Sequence, residues 1–174
     1  MRSDRFAVEA AGEEHLAGIL AIYNHAVAHS TAIWNDMLVD LENRRNWWRG
    51  RVEAGLPVLV AAEGERVLGY ASCGPFRAFD GYRQTVEHSV YVAEEARRRG
   101  VATALLMAIE EHARGRGMHV LLGGIAADNE PSLRLHAKLG FRETARMPEV
   151  GQKFGRWLDL VFMQKVLDAD GPRA

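Results

Sequence analysis

The pattern of apolar and polar positions divides the chain into alternating strands and helices. Apolar residues at helical spacing predict helices over about 13–28, 40–54, 101–115 and 129–139. Apolar runs and alternation predict strands over 5–10, 58–63, 66–74, 85–92, 118–126, 141–147 and 156–167. This order predicts an α/β protein with a mixed sheet, organised as a single domain over 1–168 with a short tail at 169–174.

Residues with special backbone or capping properties support several of these boundaries. Asp40 is suited to cap the second helix and Gly55 to end it. The buried stripe predicted for this helix consists of Leu41, Trp48 and Val52. Segment 75–83, which mixes proline, glycine, aromatics and arginines without a period, is predicted to be an exposed loop, and 148–156 a loop between the last two strands.

Composition and charge exclude several classes of function. The 174 residues carry 22 basic and 23 acidic side chains, so no broad basic surface for nucleic acid is expected. The longest apolar run, Val101 to Ile109, is far shorter than the roughly 20 residues of a membrane span. A single cysteine, Cys73, fits a reducing compartment. We expect a soluble cytoplasmic protein, with no metal because His25 and His29 lack a third ligand nearby.

The segment VYVAEEARRRGVATALL, residues 90–106, runs from a strand through three arginines into a helix. The first amides of a helix lack partners and carry partial positive charge, so small residues there permit a phosphate to bind. The spacing matches neither the dinucleotide-binding fingerprint G-x-G-x-x-G nor the Walker sequence. A solvated helix start is the simpler alternative, but three cations there oppose the helix dipole unless an anion compensates.

Two signatures resemble those of the GNAT acetyltransferase superfamily. The sequence Arg97-x-x-Gly100-x-Ala102 resembles its pyrophosphate loop, and NEPSLRLHAKLGF, residues 129–141, resembles its second signature helix. The strings ILAIYNHAV, TAIWN, TVEHSVYV and GQKFGRWLD narrow the resemblance to the phosphinothricin and methionine sulfoximine N-acetyltransferases. The resemblance implies a mostly antiparallel central sheet flanked by helices, acetyl-CoA as co-substrate and a homodimer. The aromatic residues of GQKFGRWLD and Trp47–Trp48 suit a subunit interface.

The resemblance also implies roles for individual residues. Glu87, in a strand among valines, is the candidate base for the amine, although an outward-facing strand acid is the simpler alternative. His136 stands where most superfamily members have a tyrosine acid; it is either the acid for the leaving thiolate or a packing histidine. The expected cofactor-binding residues are Val90, Tyr91, Val92, Arg97, Arg98, Arg99, Gly100, Val101, Ala102, Thr103, Asn129 and Ser132. The expected substrate-binding residues are Arg77, Ala78, Phe79, Glu87, His88 and Ser89.

These residues together predict a transfer of acetyl from acetyl-CoA to the α-amine of a small amino-acid analogue. Phosphinothricin, methionine sulfoximine and methionine sulfone are the candidates. Two alternatives stay open: an acetyltransferase for peptide or protein amines, and a non-catalytic acyl-CoA-binding regulatory module. Direct transfer is expected, with Cys73 a buried strand thiol rather than an acyl carrier.

Overall fold

A seven-stranded mixed sheet forms the centre of the molecule. The computed structural model describes residues 6–167. Its strands are β1 (Ala7–Ala10), β2 (Val58–Glu63), β3 (Arg66–Pro75), β4 (Thr85–Val92), β5 (Val120–Ala126), β6 (Arg142–Lys153) and β7 (Arg156–Val166). They lie in the order β1-β2-β3-β4-β5-β7-β6, and of these pairs only β4 with β5 is parallel. The predicted mixed, mostly antiparallel sheet is confirmed.

Helices cover both faces of this sheet. They are α1 (Leu16–His29, after a 3-10 turn at Glu13–His15), α2 (Leu41–Glu53), α3 (Val101–Gly115) and α4 (Glu130–Lys138). The buried side chains form two apolar clusters, one against α1 and the other against α3. The predicted stripe of α3 is confirmed, because Val101, Leu105, Ile109 and Ala113 are each at most 1% exposed.

A side-chain cap begins α2, and glycines with left-handed backbone conformation end α2 and α4, where the sequence predicts. The Asp40 carboxylate accepts a hydrogen bond from the Asn43 amide at 2.8 Å, at the start of α2. Gly55 has a φ of +67° just after α2 and Gly140 a φ of +89° just after α4. Glycine reaches this backbone conformation without steric cost, so both helices stop there.

The predicted buried stripe of α2 is wrong at two of its three positions, although Trp48 packs against the core. Leu41 and Val52 are exposed, and the buried residue of this helix is Arg44. The Arg44 guanidinium lies 4.1 Å from the centre of the Tyr23 ring. A long cationic side chain can cover an aromatic surface while keeping its charge hydrogen bonded, and a hydropathy pattern does not register this use of arginine.

The two adjacent tryptophans of α2 pack within the chain. The Trp48 indole donates to the Ala11 carbonyl at 2.9 Å, and the Trp47 ring lies edge-on to Tyr70. The surfaces that these contacts occupy are covered within the chain, and the expected subunit interface stays a prediction. Trp157, in contrast, is 61% exposed on β7.

The predicted loop over 148–156 is also wrong. Strand β6 continues to Lys153, and only Phe154 and Gly155 form the turn into β7. The register of β6 with β7 shifts between Glu143 and Ala145 and again between Met147 and Gly151. An edge strand that is exposed along most of its length has no apolar alternation, so its polar sequence resembles a loop.

Within residues 6–167 no helix is long and apolar enough to cross a membrane. The same residues contain no group of three potential metal-ligating side chains. The predicted tail at 169–174 and the end of the predicted domain at 168 lie outside the described part of the chain.

Candidate active site

The two central parallel strands separate halfway along their length. β4 and β5 are paired from Thr85 opposite Val120 to His88 opposite Gly123, and no farther. Beyond that point β4 remains paired with β3, and β5 with β7. A wedge-shaped gap therefore opens between the two strands in the middle of the sheet.

Backbone groups of β4 face this gap without a strand partner. The Ala93 amide donates to Leu68 of the β3 side at 2.8 Å, and successive residues of a strand alternate in direction. The N–H and C=O groups of Val90 and Val92 therefore face the gap, whereas those of Tyr91 belong to the β3 ladder. Of the three residues predicted here, Val90 and Val92 present their amides to a ligand.

Three adjoining cavities run from the start of α3 into the gap. The outermost has a volume of about 880 Å³ and is lined by Glu94–Arg98, by Gly100–Thr103 and by α4. The next, of about 610 Å³, shares Val92, Arg97, Ala102 and Pro131 with it. The innermost, of about 150 Å³, contains Glu87, His88, Gly123, Gly124 and His136. Shared lining residues connect the three into one path from the start of α3 to Glu87.

The start of α3 offers its free amides to the outermost cavity. Gly100 precedes the helix with a φ of +82°, and Arg98 also has a positive φ, of +63°. The first amides of a helix have no intrahelical partner and lie at its positive end, so this turn is suited to bind phosphate oxygens. The side chains of Arg97 and Arg98 are exposed at the same cavity. Arg99 instead reaches Glu63 at 3.4 Å, away from the predicted cofactor.

Glu87 lies at the inner end of this path. Its side chain is half-buried on β4, and burial raises the pKa of its carboxyl above the usual value. A methyl group on Gly124 of β5 would lie 3.0 Å from Glu87 Oε1, so the glycine leaves the carboxylate room at the gap. A carboxylate with a raised pKa beside a cavity is suited to accept a proton.

His136 lies at the same end, on the opposite face of the sheet. Its Nδ1 is 2.7 Å from the Ser132 carbonyl, which only accepts hydrogen bonds, so Nδ1 carries the proton of the neutral ring. Nε2 is buried without a hydrogen-bond partner and then holds a lone pair. Burial also lowers the pKa of His136. Neutral His136 therefore presents an acceptor to the cavity, which does not suit it to donate a proton to a thiolate.

His88 stacks on His136 within the α3 side of the sheet. Their ring centres are 5.1 Å apart, with an angle of 8° between the planes. Burial and the neighbouring histidine lower the pKa of His88 to about 3, so its ring stays neutral at working pH. Because side chains alternate along β4, Glu87 and Ser89 lie on the other face. The predicted substrate set is thus divided between the two faces.

Asn129 caps α4 and also lines the cavities beside the gap. Its side-chain oxygen accepts from the Ser132 amide at 3.3 Å and caps α4, while Asn129 and Ser132 both line the two inner cavities. A cap at the mouth of the gap fixes the orientation of this helix start relative to β4.

The loop expected to bind the substrate lies at the edge of the site. Arg77, Ala78 and Phe79 are exposed, and none of them lines the cavities described above within residues 6–167. The loop begins at Phe76, whose ring packs edge-on against Phe162 of β7, 6.0 Å away. Phe162 is the ladder partner of Gly124, so the root of the loop lies close to Glu87.

Two parts of the site were not recognised from the sequence. Gly123 and Gly124 provide the space between the strands, since a methyl group on Gly123 would lie 2.8 Å from His88 Nε2. A glycine pair within an apolar strand is a sequence signal that another part of the chain or a ligand approaches the strand closely. The other part is the segment from His29 to Ala32, which lines the middle cavity; its polar sequence carries no such signal.

Cys73 is not suited to carry an acyl group. It is buried in β3, and burial raises the pKa of its thiol to about 11. The thiolate is the nucleophilic form, so this side chain is unreactive near neutral pH.

The family profile described as the acetyltransferase (GNAT) family matches residues 9–141. The chain belongs to the GNAT acetyltransferase family. Members of this family use acetyl-CoA, and the chain is similar throughout to a Salmonella typhimurium acetyltransferase whose structure contains it. That similarity has a TM-score of 0.93 at 48% identity and covers 98% of this chain and 99% of the other. The chain is an acetyl-CoA-dependent N-acetyltransferase.

Similar GNAT proteins carry several names. The L-methionine sulfoximine/L-methionine sulfone acetyltransferase of Pseudomonas aeruginosa is 52% identical over 163 residues, 93% of this chain and 95% of that protein. A phosphinothricin N-acetyltransferase of Streptomyces coelicolor is 37% identical over 89% of this chain and 92% of its own length. A structure called ribosomal-protein-alanine N-acetyltransferase, from Brucella melitensis, has a TM-score of 0.90 at 52% identity, covering 92% and 99% of the two chains.

Proposed function

We propose that this enzyme acetylates the α-amine of L-methionine sulfoximine and L-methionine sulfone, with phosphinothricin a poorer acceptor. The observation that carries the proposal is 52% identity to an enzyme named for the first two compounds, along 93% of the chain. Phosphinothricin enzymes are more distant, at 37% identity. All three compounds are small amino acids with a tetrahedral oxidised sulfur or phosphorus in the side chain, which one small pocket accommodates.

Acetyl-CoA lies along the three cavities in this proposal. Its diphosphate binds the amides of Gly100–Thr103, with Arg97 and Arg98 beside it. The helix-start amides and the two guanidinium groups carry positive charge that complements the negative diphosphate. The pantetheine arm enters the gap and pairs with the exposed backbone of Val90 and Val92, next to Asn129 and Ser132. The thioester then reaches the innermost cavity.

Transfer proceeds by direct attack of the amine on the thioester carbon. Glu87 accepts a proton from the ammonium group, directly or through a water molecule, and frees the lone pair for attack. The new C–N bond places negative charge on the carbonyl oxygen, where the Val90 amide donates a hydrogen bond. The intermediate collapses by breaking the C–S bond, and the departing coenzyme A thiolate takes up the proton that the new amide nitrogen loses.

The acceptor binds on the Glu87 face of the sheet. Ser89 lies on this face, and the loop bearing Arg77, Ala78 and Phe79 closes on the acceptor from the edge. A guanidinium fork suits a carboxylate or an oxidised sulfur or phosphorus group. We propose further that the enzyme works as a homodimer in the cytoplasm. The exposed side chains of β6 and β7, which include Trp157, are available for the subunit contact.

A second candidate acceptor is the amino-terminal alanine of a protein. It is favoured by the 52% identity to the structure called ribosomal-protein-alanine N-acetyltransferase. A peptide needs an open groove, whereas the cavity at Glu87 has a volume of about 150 Å³. The volume supports the small acceptor.

A thiol-release assay with acetyl-CoA tests the proposal directly. The acceptor panel contains L-methionine sulfoximine, L-methionine sulfone, phosphinothricin, L-methionine and an alanine-led peptide. We expect the highest kcat/KM for the sulfoximine and the sulfone and a lower value for phosphinothricin. Turnover of the peptide with none of the small acceptors would reject the proposal in favour of the protein amine.

A further inference from the structure

A buried lysine holds the segment between α1 and α2 against the end of β6. Lys153 is 2% exposed, and its ammonium donates to three backbone carbonyls, those of Val27 at 2.6 Å, Ser30 at 2.8 Å and Ile33 at 2.5 Å. An ammonium has three N–H donors, so all of them are used here. The contacts connect residues more than 110 positions apart in the chain.

The partners of Lys153 are the end of one helix and the segment that follows it. Val27 is in the last turn of α1, and Ser30 is its C-terminal cap. The last carbonyls of a helix have no intrahelical partner and lie at its negative end, so a buried cation there is stabilised by the dipole as well as by its hydrogen bonds. Ile33 lies beyond the cap, so the same ammonium also determines where the chain leaves the helix.

Two further contacts hold this segment to the end of the β6–β7 hairpin. The Thr31 hydroxyl donates to Asp128 at 2.9 Å, and Asp128 pairs with Arg156 of β7 at 2.5 Å. The Trp34 ring lies against Gly151 of β6, where any side chain would overlap it. Residues 151–159, the sequence GQKFGRWLD, therefore contact the segment between α1 and α2 within the same chain.

The segment held in this way forms a wall of the site. His29, Ser30, Thr31 and Ala32 line the middle cavity, opposite Val90 and Asn129. Ala32 also lines the innermost cavity with Glu87, whereas none of the four lines the outer cavity at the start of α3. A displacement of the segment thus reaches the acceptor pocket through Ala32 and the middle cavity, where the proposed function places the pantetheine arm, through all four residues. It leaves the diphosphate end in place.

We infer that Lys153 is a positioning residue that sets acceptor affinity by holding segment 29–33, and through it Ala32, at the acceptor pocket. The inference rests on the proposed function, because it takes the pocket at Glu87 to be the acceptor site. Small displacements of groups that orient a substrate have large kinetic effects. Without the ammonium the three carbonyls lose their hydrogen-bond donor, and segment 29–33 loses its attachment to β6.

The test compares the wild-type enzyme with Lys153→Met, which keeps the length of the side chain and removes its donors. With acetyl-CoA and L-methionine sulfone, we expect the acceptor KM to rise about tenfold or more and the acetyl-CoA KM to change less than about threefold. Deuterium exchange should accelerate in a peptide covering 29–39. An unchanged acceptor KM, or an equal rise in both KM values, would overturn the inference.

Lys165 provides a matched control. It lies in β7, and its ammonium donates to the Leu139 carbonyl just after α4 at 2.8 Å and to Glu110 at 2.7 Å. Lys165→Met therefore removes another lysine at a helix end, one whose own side chain lines none of the three cavities. We expect it to leave the acceptor KM unchanged, and the same rise in both variants would also refute the inference.

A milder variant covers the case in which Lys153→Met does not fold. Thr31→Val keeps the shape of the side chain and removes only its bond to Asp128, so we expect a smaller rise in the acceptor KM. No rise would count against a positioning role for the segment. If the wild-type enzyme does not acetylate the sulfone, the proposed function fails, and the exchange rates of 29–39 still test how Lys153 holds the segment.

Discussion

The two ends of the cleft between β4 and β5 are built in different ways. The outer end is built mainly from one nearly continuous stretch, Glu94–Thr103, together with residues of α4. The inner end combines Glu87 of β4, Gly124 of β5 and Ala32 after α1, which are distant in sequence. The outer end suits a ligand shared by the whole family, and the inner end can change its acceptor through single side chains.

The largest effect is expected at the inner end, from Glu87→Gln. The amide keeps the shape of the side chain but cannot take the ammonium proton, so kcat at neutral pH should fall about 10²- to 10³-fold. Acetyl-CoA affinity, measured by calorimetry, should stay within about twofold. Glu143→Gln on the exposed strand β6 serves as control, and a kcat for Glu87→Gln close to that of the control would remove Glu87 from the mechanism.

The complementary variant at the outer end is Ala102→Glu. It places a carboxylate in the first turn of α3, beside the cavity that Ala102 lines, so it should repel a diphosphate. We expect coenzyme A affinity to fall about 100-fold in calorimetry, a change of about 2.7 kcal/mol. Met107→Glu, exposed on the same helix, is the control. Equal affinities in the two variants would contradict a diphosphate site here.

A smaller effect is expected from closing the space between the strands. In Gly124→Ala the added methyl group lies 3.0 Å from Glu87 Oε1 and displaces the carboxylate. We expect kcat/KM for the acceptor to fall about tenfold, with acetyl-CoA affinity retained. Gly50→Ala on α2, where nothing lies within 4 Å of the new methyl group, provides the comparison. An acceptor kcat/KM equal to that of Gly50→Ala would show that the glycine is not needed for catalysis.

A substitution of His136 tests whether the leaving thiolate receives its proton from this ring or from the new amide nitrogen. With the Nδ1 proton facing Ser132, Nε2 has no proton to give, so His136→Gln should lower kcat less than about tenfold. The measurement is kcat at neutral pH with saturating acetyl-CoA and acceptor. A loss of about 10²-fold or more would instead assign the general acid to His136.

The smallest effect is a displacement of the pH profile. Because burial raises the pKa of Glu87, its carboxyl becomes protonated at a higher pH than an ordinary glutamate as the solution is acidified. The protonated form cannot accept the amine proton, so kcat/KM should begin to fall above the usual range for a glutamate. This acid limb should disappear in Glu87→Gln, and its persistence there would assign it to another group.

Features formed by one continuous stretch of chain, as at the outer end of the cleft, were predicted well from the sequence. Local signals are sufficient for the turn that begins α3, since Gly100, Ala102 and the three arginines lie within six residues. Asp40 and Asn129 cap helices as their chemistry implies. The order of strands and helices followed from periodicity and was confirmed. Of the arginines, only Arg99 points elsewhere, because Glu63 of the neighbouring hairpin attracts it.

Features that depend on tertiary packing were missed. The stripe of α2 was wrong at Leu41 and Val52, since Arg44 against Tyr23 is the buried residue of this helix. The second half of strand β6 was taken for a loop because an exposed edge strand lacks alternation. The family resemblance implied cofactor contacts at Val90–Val92, where β4 and β5 separate, but no local pattern indicates that separation. The division of Glu87 and His136 between the two faces depends on pairing between distant segments. Neither the Lys153 contacts nor the wall that they support follows from local sequence.

A crystal structure with coenzyme A and L-methionine sulfone would show both ends of the cleft occupied at once. We expect diphosphate oxygens within hydrogen-bonding distance of the amides of Gly100–Thr103, the arm beside Val90 and Val92, and the acceptor amine next to Glu87. Coenzyme A bound outside the gap between β4 and β5, or an acceptor amine remote from Glu87, would contradict this arrangement.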